Sequence, residues 1–154
     1  MTSPTRSTPL HHAWQAIASL LDSLRPWAAL AARLYVAQVF FLSGLTKLRD
    51  WDTTLLLFTE EYHVPLLPPA LAALLGTAGE IGLPVLLVLG LAGRFAALGL
   101  SVVNVVAVLS LADIAPAALQ QHITWGVLLA TLALVGMERW SVDAWRASRR
   151  PPNA

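Results

Sequence analysis

The sequence predicts an all-α integral membrane protein, a four-helix bundle preceded by an N-terminal amphipathic helix. Three observations predict it. Hydrophobic residues make up 56% of the 154 residues and charged residues only 12%, against about a quarter charged in a soluble chain. That leaves too little polar surface to cover a globule in water. Four apolar runs recur, each near the ~20 residues that cross ~30 Å of hydrocarbon. The runs are apolar all round, so none offers a polar outer face to water. A lipid bilayer is the principal partner this composition fits, and helices suit it because they satisfy their own backbone hydrogen bonds.

The elements follow in chain order. Residues 1–26 form a cytoplasmic segment. Within it, 9–24 read as an amphipathic helix, with Thr8 as its cap and Pro9 at the first helical position. Trp14, Ile17, Leu20, Leu21 and Leu24 fall on one side, which places this helix on the inner leaflet, and Arg25-Pro26 ends it. The first ten residues and the last seven or so are expected to be disordered. Sparse charge and the lack of a small-residue cleavage site argue against a secretory signal.

The bundle domain is expected over 27–138, with helices at about 28–47, 69–92, 94–112 and 119–138, and a cytoplasmic tail over 139–154. The first run is AALAARLYVAQVFFLSGLT, 28–46. The outer connection, 48–68, holds a short helix over 53–61 capped by Asp52, with Leu55, Leu56 and Phe58 dipping into the interface. YHVPLLPP then runs extended, because residues before proline avoid the helical region. A connection this long is either a surface cover or a lid over a cavity open to the outer side. The remaining runs are PALAALLGTAGEIGLPVLLVLGLA, FAALGLSVVNVVAVLSLA and LQQHITWGVLLATLALVGM.

Lysine and arginine orient the bundle. Arg6, Arg25, Arg94, Arg139, Arg146, Arg149 and Arg150 fall on one side, Lys47 and Arg49 on the other, so both termini are expected to be cytoplasmic. Trp27 and Trp140 mark the inner boundary, Trp51 and Tyr62 the outer. The net charge of +1 argues against nucleic acid, which needs a dense basic face. The chain has no cysteine, which excludes disulfides, thiol exchange and thiolate metal sites. There is no phosphate loop, no zinc-protease motif and no nucleophile elbow. No metal site is predicted. The one adjacent acidic pair, Glu60-Glu61, sits in a loop where solvation explains it.

Five polar residues in or at the spans form a candidate intramembrane site: Arg33, Lys47, Glu80, Asn104 and His122. Polar groups at this depth are costly, so they face the bundle interior and find partners. At 100° per residue, Arg33, Ala37, Phe40, Gly44 and Lys47 share one line of the first helix. Gly44 allows close approach of a neighbour, and Gln38 lies off that line, toward a neighbour or an oligomer partner. Gly76, Pro84 and Leu87 share the face of Glu80, and Pro84 takes the usual helical partner from the Glu80 carbonyl. An Arg33–Glu80 pair is expected from depths of roughly 8 and 16 Å. It either fixes helix register or lines a cavity for a headgroup, a quinone or a proton. Asn104 reads as interhelical hydrogen-bond glue or as part of the site. His122 reads as an interfacial side chain, a proton carrier or a metal ligand.

RLYVAQVFFLSGLTKL, a loop ending PLLPP, and GEIGLPVLLVLGLAGRFAALGL together resemble the DoxX family of small four-helix bacterial membrane proteins. The resemblance runs from Arg33 to the end of the fourth helix. It rests on Arg33, on Gly44 with Lys47, on Glu80, and on the turn from Gly90 to Arg94. It implies an inner-membrane subunit or partner of redox systems, linked to quinone-dependent thiosulfate oxidation and oxidative-stress complexes. EYHVPLLPP is similar to a subgroup found beside iron-dependent peptide-modifying enzymes in metal-stress gene clusters. Relatives that pass electrons through thiols need cysteines, which this chain lacks.

Three readings stand. The first is a redox-associated membrane subunit in which Arg33 or Lys47 stabilises a reduced quinone headgroup and Glu80 exchanges the proton. The second is a membrane anchor or assembly factor without chemistry. The third is a small metal or anion transporter working as an oligomer.

Overall fold

The computed structural model describes residues 9–136 and 141–149. The Thr8 cap, Met137, the Trp140 boundary marker and the chain beyond 149 lie outside them. The described elements are all helices: α1 (Pro9–Arg49), α2 (Trp51–Glu60), α3 (Pro69–Leu89), α4 (Gly93–Ser110), α5 (Pro116–Val135) and α6 (Val142–Ser148). Four of them, α1, α3, α4 and α5, are long and apolar enough to cross a membrane. Their spanning windows are only 11% to 33% buried inside the molecule, so most of their surface must face lipid or another chain.

The expected break at Arg25-Pro26 does not occur. α1 is one helix of 41 residues with Pro26 inside it, about 60 Å long at 1.5 Å per residue. A proline forfeits one i→i−4 bond, a local cost of about 3 kcal/mol. The alanine- and leucine-rich turns on either side carry the backbone through it. The amphipathic segment is therefore the first half of α1. Leu10, Trp14, Ile17, Leu20, Leu21 and Leu24 are all exposed along it.

The second half of α1 packs against α3, α4 closes on α3 and on α5, and α5 returns to α1. Val36, Ala37 and Phe40 of α1 meet Leu87 of α3, Ala96, Ala97 and Leu100 of α4, and Leu129 and Leu132 of α5. The alanines let the backbones approach closely, as small residues do where lipid supplies no hydrophobic drive. Pro84, inside α3, is fully buried.

Each end of the bundle is closed differently. At one end α3 stops at Gly90, whose φ of 62° is left-handed, a conformation glycine adopts without strain. The Asp143 N–H donates to the Gly90 carbonyl (3.1 Å), and the Asp143 carboxylate accepts from the Gly93 N–H (3.2 Å). The Asp143 carboxylate, just inside α6, thus caps α4. At the other end α2 lies across the bundle. Its cap is Asp50, two residues before the expected Asp52: the Asp50 carboxylate accepts from the Thr53 N–H (3.0 Å) and hydroxyl (2.7 Å). These two bonds hold the Asp50 carboxyl below its ordinary range. The cap is intact at neutral pH and is lost as pH falls through that lowered value.

Phe58 does not dip into the interface. It is buried against Ala72 and Ala73 of α3, with Trp51, Leu55, Tyr62 and Val64 packed around it, while Leu56 stays exposed. YHVPLLPP is not fully extended either. It turns at 65–67, with Leu66 at φ 65°, and the His63 N–H donates to the Ser110 carbonyl at the end of α4 (2.8 Å). That bond ties the loop to the bundle.

Candidate functional site

Gly44 sets the spacing of α1 and α3. A Cβ built there would lie 2.8 Å from Ile81 Cδ1 and 3.1 Å from Glu80 Cβ, closer than side chains pack. One turn along α1, Lys47 reaches across this narrow gap. Its Nζ donates to Glu80 Oε2 at 2.5 Å and to Ser43 Oγ at 3.0 Å. The side chains are only 20% and 10% exposed, so the pair is largely out of water. A charge-assisted bond in such a setting is strong, and breaking it leaves the survivor costly.

Arg33 is elsewhere. Fourteen residues up α1 from Lys47, about 21 Å by helix rise, its Nη2 donates to the Val88 carbonyl at 2.7 Å. Val88 is in the last turn of α3, where carbonyls lack helical partners and the helix dipole favours a cation. The expected Arg33–Glu80 pair is therefore replaced by two separate contacts: Lys47 holds Glu80, and Arg33 caps α3. The depth estimate failed because it compared Arg33 only with Glu80. Lys47 sits closer to Glu80, on the line Gly44 opens.

Asn104 and His122 form one unit. The Asn104 Nδ2 donates to the His122 carbonyl at 3.0 Å. The amide oxygen then faces His122 Nδ1, 2.8 Å away. An oxygen acceptor there requires the proton on Nδ1, which leaves the lone pair of the neutral imidazole on Nε2. The Trp125 ring packs edge-on against the imidazole, 4.9 Å between centroids. Asn104 is thus interhelical glue and, through the same bonds, sets the tautomer of His122.

Both units line one cavity of about 320 Å³ beneath α2. Lys47, Ser43 and Glu80 contribute on one side, His122 on another, and Tyr62 and Phe58 from the α2 end. Val102, Val103 and Val106 of α4 are among its apolar walls. Burial pushes the Tyr62 phenol up, and the negative charges of Glu61 and Glu80 add to this, so it stays a hydrogen-bond donor at neutral pH. Of the five expected residues, four border or support this cavity and Arg33 does not. Ser43 and Tyr62 were missed as site residues. Ser43 lies four positions before Lys47, a spacing that puts both on one helix face. Tyr62 was read only as a boundary marker. Among the described residues, no three His, Asp or Glu side chains gather as a metal site would require.

No curated protein and no solved structure matches the chain. The DoxX family profile matches residues 28–113, which takes in the second half of α1, α2, α3 and α4. It stops before α5, so His122 lies outside the matched segment. Within it lie Arg33, Gly44, Lys47, Glu80, Pro84 and Asn104. A match over more than half of the sequence, on a bundle of four membrane-length helices, makes this chain an integral membrane protein of the DoxX family.

Proposed function

We propose that this chain binds the polar headgroup of a lipid-soluble carrier of the quinone class, as the membrane subunit of a redox or stress-response system. The observation that carries this reading is the cavity between the Lys47–Glu80 pair and His122. Its volume of about 320 Å³ is at the small end of ligand pockets, and it sits at the end of four helices that face lipid. Lys47, with its third proton directed to no described residue, is placed to donate to a carbonyl oxygen of the oxidised headgroup. His122 Nε2, its lone pair fixed by Asn104, is placed to accept from a hydroxyl of the reduced one. A quinone supplies reversible uptake of two electrons and two protons. The protein's part is to bind, orient and exchange protons at His122 and Glu80. In this reading the protein sits in a bacterial inner membrane, and the lysine and arginine counts favour the α2 end outside and both termini in the cytoplasm.

The test is titration of proteoliposomes with a short-chain benzoquinone, read as saturable quenching of tryptophan fluorescence. Trp125 beside His122 is the reporter. His122→Ala and Asn104→Leu are each expected to weaken binding about tenfold, the loss of one well-placed hydrogen bond. Asn104 does not line the cavity, so Asn104→Leu acts through His122, whose carbonyl and imidazole it bonds, and it should also shift the pH dependence of binding. Absence of saturable quenching sinks the quinone reading. Recovery of a stoichiometric enzyme from native membranes would then favour the anchor or assembly reading, in which Lys47–Glu80 only fixes the register of α1 on α3.

A further inference from the structure

α1 carries a second face that the bundle core leaves exposed, met by α5 at Tyr35, whose hydroxyl accepts from the Trp125 indole N–H at 3.5 Å. Leu10, Trp14, Ile17, Leu21 and Leu24 are spaced alternately by four and three residues and all are exposed. The same count carried into the membrane reaches Ala28, Ala31, Tyr35, Gln38 and Leu42, again all exposed. This stripe lies opposite Arg33, Val36, Ala37 and Phe40, the buried side of α1. A repeat of 3.5 residues sustained over 33 positions is the pattern of a coiled-coil seam.

We infer that two copies of this chain pair in parallel along this stripe of α1. Three observations select a second copy over lipid. α1 runs unbroken through Pro26, so its first half is joined to the membrane span as one helix, with no break at which it could turn onto the leaflet. That half is poor in the basic residues a surface-lying helix uses to hold anionic lipid: between Leu10 and Arg25 the only Lys, Arg, Asp or Glu residues are Asp22 and Arg25 itself. And Gln38 exposes an amide near the middle of the span, where lipid offers it nothing. An amide is both donor and acceptor, so two Gln38 side chains related by a two-fold axis satisfy one another, as polar residues do at single seam positions. Ala28 and Ala31 let the two backbones approach where the seam enters the membrane.

The chain has no cysteine, so single cysteines report directly. In native membranes of the full-length protein, Leu24→Cys and Gln38→Cys are expected to give disulfide dimers on mild oxidation. Ser19→Cys, on the polar side of α1, and Thr131→Cys, exposed on α5, are expected to stay monomeric. Gln38→Leu should weaken self-association about tenfold, read by energy transfer on dilution into lipid. All these positions are exposed, so folding is not at stake. Equal crosslinking at stripe and control positions overturns the pairing, as does none at either stripe position. Crosslinking confined to Gln38→Cys overturns the continuous seam and returns the first half of α1 to the leaflet.

Discussion

Replacing Glu80 with alanine is expected to cost about 3 kcal/mol of stability, the low end of what breaking a buried ion pair costs. The low end applies because Lys47 keeps 20% exposure and retains its bond to Ser43. The loss comes less from the missing bond than from the ammonium left behind at membrane depth. Lys47→Met should cost a similar amount by stranding the carboxylate. The double variant Lys47→Met/Glu80→Leu should cost well under the sum, since it strands no charge and fills the gap with apolar atoms. Unfolding in mixed micelles by added ionic detergent measures all three, and the cycle gives the coupling directly. Additive losses would mean the two groups do not depend on one another. The double variant also separates two roles. A folded bundle that no longer binds benzoquinone would assign the pair to the ligand, whereas unchanged binding would leave it a bolt between α1 and α3.

The bundle was legible because its signals are compositional. Four runs of membrane length in a chain with 12% charge leave one solution to backbone hydrogen bonding in lipid. Helix ends were less so. α4 ends at Ser110, near the expected position, but α5 begins at Pro116, where a proline at the first helical position starts the helix before the apolar run does. Pro26 misled in the opposite direction. Proline at that position reads as a stop, but long helical arms outweigh one lost bond, and nothing local in the sequence weighs them.

The site was half legible. One-helix geometry placed Arg33, Gly44 and Lys47 on one line, and that line is where α3 packs. It could not say which cation Glu80 would meet, because that depends on how far α3 slides along α1. The slide is set by Gly44 against Ile81 and by Arg33 at the end of α3, both contacts between elements distant in sequence. The Asn104–His122 unit joins α4 to α5 across 18 residues. Each residue was visible alone, and only the packing of α4 on α5 makes them one device.

Gly44→Ala is the change expected to disturb the site most without touching a polar group. Its new Cβ would meet Ile81 Cδ1 at 2.8 Å, Ile81 Cγ1 at 2.9 Å and Glu80 Cβ at 3.1 Å. The Ile81 terminus can rotate away, and Cγ1 can swing only by leaving the one χ1 rotamer a β-branched residue prefers in a helix, but the Glu80 Cβ moves only with α3 itself. The helices must part by a few tenths of an ångström, and the Lys47–Glu80 bond one turn away must lengthen. Overpacking of this kind costs about 1–3 kcal/mol, against a gain of up to about 1 kcal/mol from the better helix propensity of alanine. A net loss of about 1–2 kcal/mol is expected, and more for Gly44→Leu. Gly82→Ala is the control: nothing lies within 4 Å of a Cβ there, so propensity alone should act and the bundle should gain stability. Adding Ile81→Ala to Gly44→Ala removes the two shortest contacts, leaving Glu80 Cβ at 3.1 Å, and should recover most of any lost benzoquinone binding even where Ile81→Ala alone costs stability. If Gly44→Ala proves as benign as Gly82→Ala, the spacing of α1 and α3 is not what holds Lys47 against Glu80.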